Sequence, residues 1–327
     1  MVGFTPIICE SFTLKVKMYM NNNKSMVIGK DYMRFVENVF QMVKQKMGDE
    51  YIVSIHQARK NNDTTRWGIS IGKKKESAEF VSFMPTIYLE ELYYNYTHGR
   101  ELSDIVKSVI TIYQEVQEPY MLTEDDFSFE KLKDRICFML VNNKLNRENL
   151  NIRPHRTFLD LSVVYYVLFD RDEKGTATIP INYNLMEKWE VDEETLWSHA
   201  NINTRAILTP TLKTMRDTIH ELTGRIYESN PEVELYVLSN SYREFGAVSV
   251  LFEESMRCAA CILDSNFFII PSSIHEVILC ADNQNVDKEM INECIRDINQ
   301  TQLEEAEVLS EHVYYYDREQ NKISYEI

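Results

Sequence analysis

Apolar positions recur every three or four residues in two long stretches of the first third of the chain. Tyr32, Phe35, Val36, Val39, Phe40 and Val43 form one stripe. That spacing puts side chains on one helix face, and Gly48 follows as a stop. Leu102, Ile105, Val106, Val109, Ile110, Tyr113 and Val116 form the second stripe, opened by Glu101, Ser103 and Asp104 and closed by Glu118-Pro119. Between them the period drops to two. Residues 50–58 and 66–72 alternate like strands, and the polar residues 61–65 carry turn chemistry. A third strand is expected over 79–84. A tyrosine-rich helix is expected over 86–96, after Pro85 and before Gly99.

The polar, acidic residues 123–128 mark a candidate boundary. Beyond it, 135–141 and 158–169 are apolar and β-branched and read as strands, and 170–175 reads as a hairpin turn into 176–180. Helices are expected over 184–189, 193–207 and 211–222. Then come a strand (233–238), a helix (248–262), two strands (267–270 and 274–280), a helix (290–298) and a closing hairpin (312–316 with 323–325). The fold class expected is α+β, with mainly antiparallel sheets and helices packed on one face. Residues 1–27 read as a loose arm or an upstream extension of the reading frame. Residues 28–123 form an N-terminal α+β unit, and 124–327 a C-terminal α+β domain.

Composition narrows the functional classes. The 327 residues are 44% hydrophobic and 26% charged, ordinary for a globular protein. The net charge of −16 repels phosphate backbones, so nucleic-acid binding is disfavoured; the charge also permits a DNA-mimicking role without selecting it. Lys73, Lys74 and Lys75 form a short basic run that reads as a solvated turn. Six cysteines, at 9, 137, 258, 261, 280 and 294, read as reduced, buried thiols of a cytoplasmic protein. No stretch has the apolar length of a membrane span, and the first apolar residues are too short and interrupted for a signal peptide.

The last third of the chain carries a recognisable series of segments. Trp189, Trp197 and Ala200-Asn201 lead to Pro210. Tyr236 to Asn240, Phe245-Gly246-Ala247, Ile270 to Leu279 and Leu309 to Asp317 follow. This series resembles the DUF5688 family, a family without an established activity, over roughly Tyr32 to Tyr316. The C-terminal order is also distantly similar to the DUF1444 family. Neither resemblance implies a chemistry.

Four residues stand out as candidates for catalysis: His275, Ser273, His312 and Asp160. A serine beside a histidine suggests nucleophilic chemistry. A strand running through Ser272, Ser273, His275 and Glu276 would send His275 and Glu276 to opposite faces, and serines after Pro271 commonly satisfy turn backbone groups. Asp160, Asp172 and Lys174 echo the carboxylates and lysine of metal-dependent nucleases, although the last two fall in the expected hairpin turn. Cys258 and Cys261 have redox-pair spacing but sit deep in an expected helix, where buried thiols are the simpler reading. Asn201, Asn203 and Thr204 suggest a helix end or kink with capping side chains. No Gly-rich phosphate loop or zinc-hydrolase histidine spacing occurs, and no cofactor is implied. The leading expectation is a non-catalytic protein-interaction module with an acidic surface and a protein partner. The alternative is a metal-dependent hydrolase or nuclease with a site around His275.

Overall fold

A computed structural model of the chain describes residues 29–74, 81, 82, 86–115, 121, 122, 124–172, 175–224, 234–282, 288–301 and 303–325. The fold is α+β, and every strand pairing among the described residues is antiparallel. The chain divides into two compact units. One is built from the described residues of Ser25–Lys60 and Thr64–Leu132, the other from Asn61–Asp63 and Lys133–Ile327.

The N-terminal unit packs helices on a small sheet. Helix α1 (Lys30–Met47) buries Tyr32, Phe35, Val36, Val39 and Val43, the stripe seen in the sequence. Strands β1 (Tyr51–Arg59) and β2 (Thr65–Lys73) pair with Ile55 opposite Ile69. A short β3 (Val81–Ser82) follows, then β4 (Thr86–Tyr88), which pairs with β2. Helix α2 (Glu90–Thr97) starts only after Leu89. The helix expected over 86–96 is therefore a strand for its first three residues. Ile87 and Leu89 enter the core there, and Gly68 of β2 lets β4 approach: a Cβ on Gly68 would lie 2.1 Å from Thr86 Cγ2. Helix α3 (Leu102–Glu115) adds Ile105, Val106 and Val109 to the same core, and β5 (Met121–Leu122) pairs with β3.

A one-turn α4 (Phe129–Leu132) closes the N-terminal unit, and the C-terminal unit resumes at Lys133. The first sheet has β8 (Leu161–Asp172) at its centre. It pairs with β6 (Ile136–Asn142), β7 (His155–Phe158) and β9 (Gly175–Pro180). A short α5 (Arg147–Leu150) lies between β6 and β7. Strand β7 was not expected from the sequence. Leu159, at φ 55, makes the tight reversal that separates it from β8, and a leucine gives no turn signal for that conformation.

Helix α6 (Tyr183–Lys188) and helix α7 (Glu193–Ile207) are capped by Asn182 and Asp192, whose side chains accept the N–H of Leu185 and of Thr195. Helix α7 lies on β6 through buried Leu196, Ala200 and Thr204. Strand β10 (Pro210–Thr214) and helix α8 (Met215–Thr223) replace the single helix expected over 211–222. Pro210 is the first residue of an edge strand, where its missing N–H is tolerated, and Thr214 caps α8 by accepting the N–H of Asp217.

The second sheet runs β10–β11–β13–β12–β14–β15. Its remaining strands are β11 (Leu235–Asn240), β12 (Phe267–Ser273), β13 (Glu276–Ala281), β14 (Tyr314–Asp317) and β15 (Lys322–Ser324). Helix α9 (Glu253–Leu263) precedes β12 and helix α10 (Lys288–Thr301) follows β13. The helix expected over 248–262 is broken: a 3-10 segment, Gly246–Leu251, comes first, and Phe252 is extended before α9. Helices α8 and α10 cover one face of this sheet. Ile219, Ile291, Ile295 and Ile298 meet Val237, Phe268, Ile270 and Ile278 there. On the opposite face Ile269, Val277 and Ile323 meet Leu140 and Leu161 of the first sheet around a small apolar void.

Candidate functional site

The β12–β13 turn holds two of the sequence candidates. Ser272 and Ser273 are not turn residues, as expected after Pro271; they complete β12 and are buried. Pro271 is accommodated near the end of β12, past the Phe267–Ile269 stretch that β14 pairs with and beside a register shift against β13. The turn consists of Ile274 and His275, and Glu276 opens β13. His275 is thus not a strand residue facing away from Glu276.

The backbone N–H, the carbonyl and Nδ1 of His275 are engaged in holding this turn. Its N–H donates to Ser273 Oγ at 3.1 Å, and its carbonyl accepts from Ser239 Oγ at 2.8 Å. Its Nδ1 accepts the N–H of Phe245 at 3.3 Å. That acceptance requires the neutral tautomer with hydrogen on Nε2, and Nε2 lies 3.8 Å from Glu307 Oε1. The imidazole also stacks on Phe245, with ring centres 5.7 Å apart. Ser273 Oγ therefore meets the backbone of His275, not its ring. Glu276 is 3% exposed and accepts from Ser272 Oγ at 3.4 Å.

A second group surrounds Asp160 at the β7–β8 reversal. Its Oδ1 accepts the hydroxyl of Tyr314 and its Oδ2 that of Ser310, both at 2.7 Å. Burial, reinforced by the Asp160 carboxylate, holds the Tyr314 hydroxyl well above the usual phenol range, so it stays a donor. Ser310 Oγ also accepts the N–H of His312 at 3.0 Å, and the His312 ring leans on Tyr325 at 5.7 Å. The described hydrogen bonds thus join Asp160 with His312 through Ser310, and Ser273 with His275, as two groups. Lys174 and the side chain of Asp172 lie outside the described residues. Among those described, no three His, Cys, Asp or Glu side chains are placed to hold a metal ion.

Two other sequence readings are corrected. Cys258 and Cys261 are exposed on α9, not buried, because Met256, Ala259 and Ala260 take its inner face. Among the described cysteines, Cys137 and Cys280 are the buried ones. Helix α7 neither ends nor kinks at Asn201. Asn203 Nδ2 instead donates to the carbonyls of Lys133 and Ile136, and Thr204 Oγ1 accepts the N–H of Phe138.

A groove that sequence reasoning missed lies beside α10. Register places Phe268, Tyr315 and Ser324 in one cross-strand row and Asp317 and Lys322 in the next. Alternation then sends these side chains to the face that α10 covers. A cavity of about 650 Å³ lies between this helix and the β14–β15 hairpin. Lys288, Asn292 and Arg296 of α10 line one side, with His312 and Tyr325 also on its wall. No local motif announces it, since its residues come from an amphipathic helix and a hairpin that read as ordinary scaffold.

Among the described residues, no helix is long and apolar enough to cross a membrane. No curated protein and no solved structure matches the chain. The family of unknown function DUF5688 matches residues 32–318, a match that adds no support for the distant DUF1444 likeness. Nearly the whole chain lies within that match, and the protein belongs to the DUF5688 family.

Proposed function

We propose that this protein is a non-catalytic protein-interaction module of the cytoplasm. The observation that carries this reading is the use of His275. Its backbone and its Nδ1 are spent on Ser273, Ser239 and Phe245, which suits a fold-holding residue better than a base aimed at a substrate. Asp160, bonded by Tyr314 and Ser310, is used in the same way.

The surface supports a binding role. Tyr94 and Tyr96 of α2 are 37% and 41% exposed, large amphipathic side chains of the kind enriched at interfaces. The −16 net charge would steer encounter with a basic protein partner. The experiment is affinity capture from a native lysate at low and high salt, followed by purified reconstitution with the recovered protein. A reconstituted complex that weakens with salt and with Tyr94→Ala/Tyr96→Ala supports the module. Failure to reconstitute any complex counts against it.

One observation favours the alternative, a metal-dependent hydrolase around His275. Glu276, next to His275 in sequence, places an almost wholly buried carboxylate beside Ser272. In that reading His275, Ser273, His312 and Asp160 would be its catalytic candidates.

A further inference from the structure

We propose that the groove between α10 and the β14–β15 hairpin binds a small polyanion carrying a planar ring, the chemistry of a nucleoside phosphate. This goes beyond the interaction reading and concerns a site that reading does not use.

Charge is the first argument. The chain carries −16 overall, yet Lys288, Arg296 and Lys322 converge on one cavity from a helix and a facing hairpin. The carboxylates on its wall are Glu289 and Asp317. Glu289 lies 3.4 Å from Arg296, and Asp317 Oδ1 is occupied by the N–H groups of Glu319 and Gln320. Neither Lys288 nor Lys322 forms an ion pair with a described residue. With Lys288 Nζ 5.4 Å from the Tyr315 ring centre and Lys322 on the facing hairpin, two ammonium groups against the one carboxylate of Asp317 favour an anion. The rest of the acidic surface would repel a long phosphate polymer, which leaves a small ligand.

Shape and stacking are the second argument. About 650 Å³ lies within the range of small-molecule sites. Tyr325 and His312 line its wall with ring centres 5.7 Å apart, and aromatic rings stack on bases at about 1–3 kcal/mol each. The cations recognise phosphate oxygens, and Asn292, also on the wall, accepts the N–H of Val313 through its Oδ1, which fixes the orientation of its amide.

The test is isothermal titration of the full chain at low salt, without added metal, with ATP, inorganic tripolyphosphate and adenosine as probes. The double variant Arg296→Gln/Lys322→Gln and the variant Tyr325→Ala are titrated alongside, and their melting temperatures are checked against the parent. The proposal predicts saturable ATP binding that the double variant weakens at least about tenfold, the scale of lost charge-assisted contacts, with the melting temperature kept. It predicts weaker binding of adenosine and of tripolyphosphate, and a Tyr325→Ala loss confined to the ring-bearing probes. No saturable ATP binding, or binding that the double variant leaves unchanged, overturns the site. Equal affinity for ATP and tripolyphosphate with no effect of Tyr325→Ala overturns the planar-ring assignment.

Discussion

The imidazole of His275 and the backbone of Phe245 hold each other in place. Phe245 sits at φ 53, in the left-handed region, where a bulky side chain is strained. Its N–H donates to His275 Nδ1, and its ring stacks on the imidazole. The strained residue is thus stabilised by the side chain that looked most like a catalytic base.

Removing that acceptor should destabilise the fold. His275→Ala leaves the Phe245 N–H unpaired and removes the stack, and the expected loss is about 1–3 kcal/mol. His275→Asn restores an acceptor near the Nδ1 position and should recover part of it. Urea denaturation of the three proteins measures both effects. Equal stability of His275→Ala and the parent would contradict the structural role.

The same corner restricts its neighbour. A Cβ on Gly246 would lie 2.4 Å from Ser239 Oγ, 2.6 Å from His275 O and 2.8 Å from Asn240 N. Two of those atoms are backbone and cannot rotate away. Gly246→Ala should therefore cost about 2–3 kcal/mol or more, as overpacking does. A denaturation midpoint that matches the parent would show that this corner yields.

The thiols divide by exposure. Cys258 and Cys261 are exposed and should react quickly with a thiol reagent at neutral pH. Cys258→Ser/Cys261→Ser should remove two equivalents from the fast phase. Cys137 and Cys280 should label slowly until the chain unfolds. Fast labelling that the double variant leaves unchanged would contradict the placement of α9.

Alkaline pH should weaken the fold through the buried pair. Burial pushes the Cys137 thiol up to about 11 and the Cys280 thiol up to about 12. Both ionise near 9 in the unfolded chain. Above 9 the native state therefore binds more protons than the unfolded one, so raising the pH favours unfolding. The contribution is complete below about pH 9 and is lost as pH rises through the folded values, at about 1.4 kcal/mol per thiol and pH unit. Denaturation midpoints should fall over this window, less steeply in Cys137→Ala. A flat profile would contradict the burial.

How far the sequence could be read depends on which residues set each element. The stripes of α1 and α3 were legible because an amphipathic helix repeats its own spacing. The strand at Thr86–Tyr88 was not, because its register depends on Gly68 eighteen residues earlier, and the strand at Pro210–Thr214 was not, because only its pairing with β11 distinguishes it from helix. At the site, Ser273 and His275 were found as residues, but the sequence could not say that the serine would meet the histidine's backbone. The link from Asp160 to Tyr314 spans 154 positions, and the groove needed the register of three strands. Both are long-range results of packing that no local pattern encodes.

The central claim is that the polar groups around His275 hold the fold and do no chemistry. It is tested most directly by phosphodiester and ester hydrolysis assays on the purified parent and His275→Ala, with Mg²⁺, Mn²⁺ or Zn²⁺ supplied. The account predicts no turnover above buffer for either protein. Turnover by the parent that His275→Ala abolishes, while the variant keeps its native circular dichroism, would contradict it and establish the hydrolase.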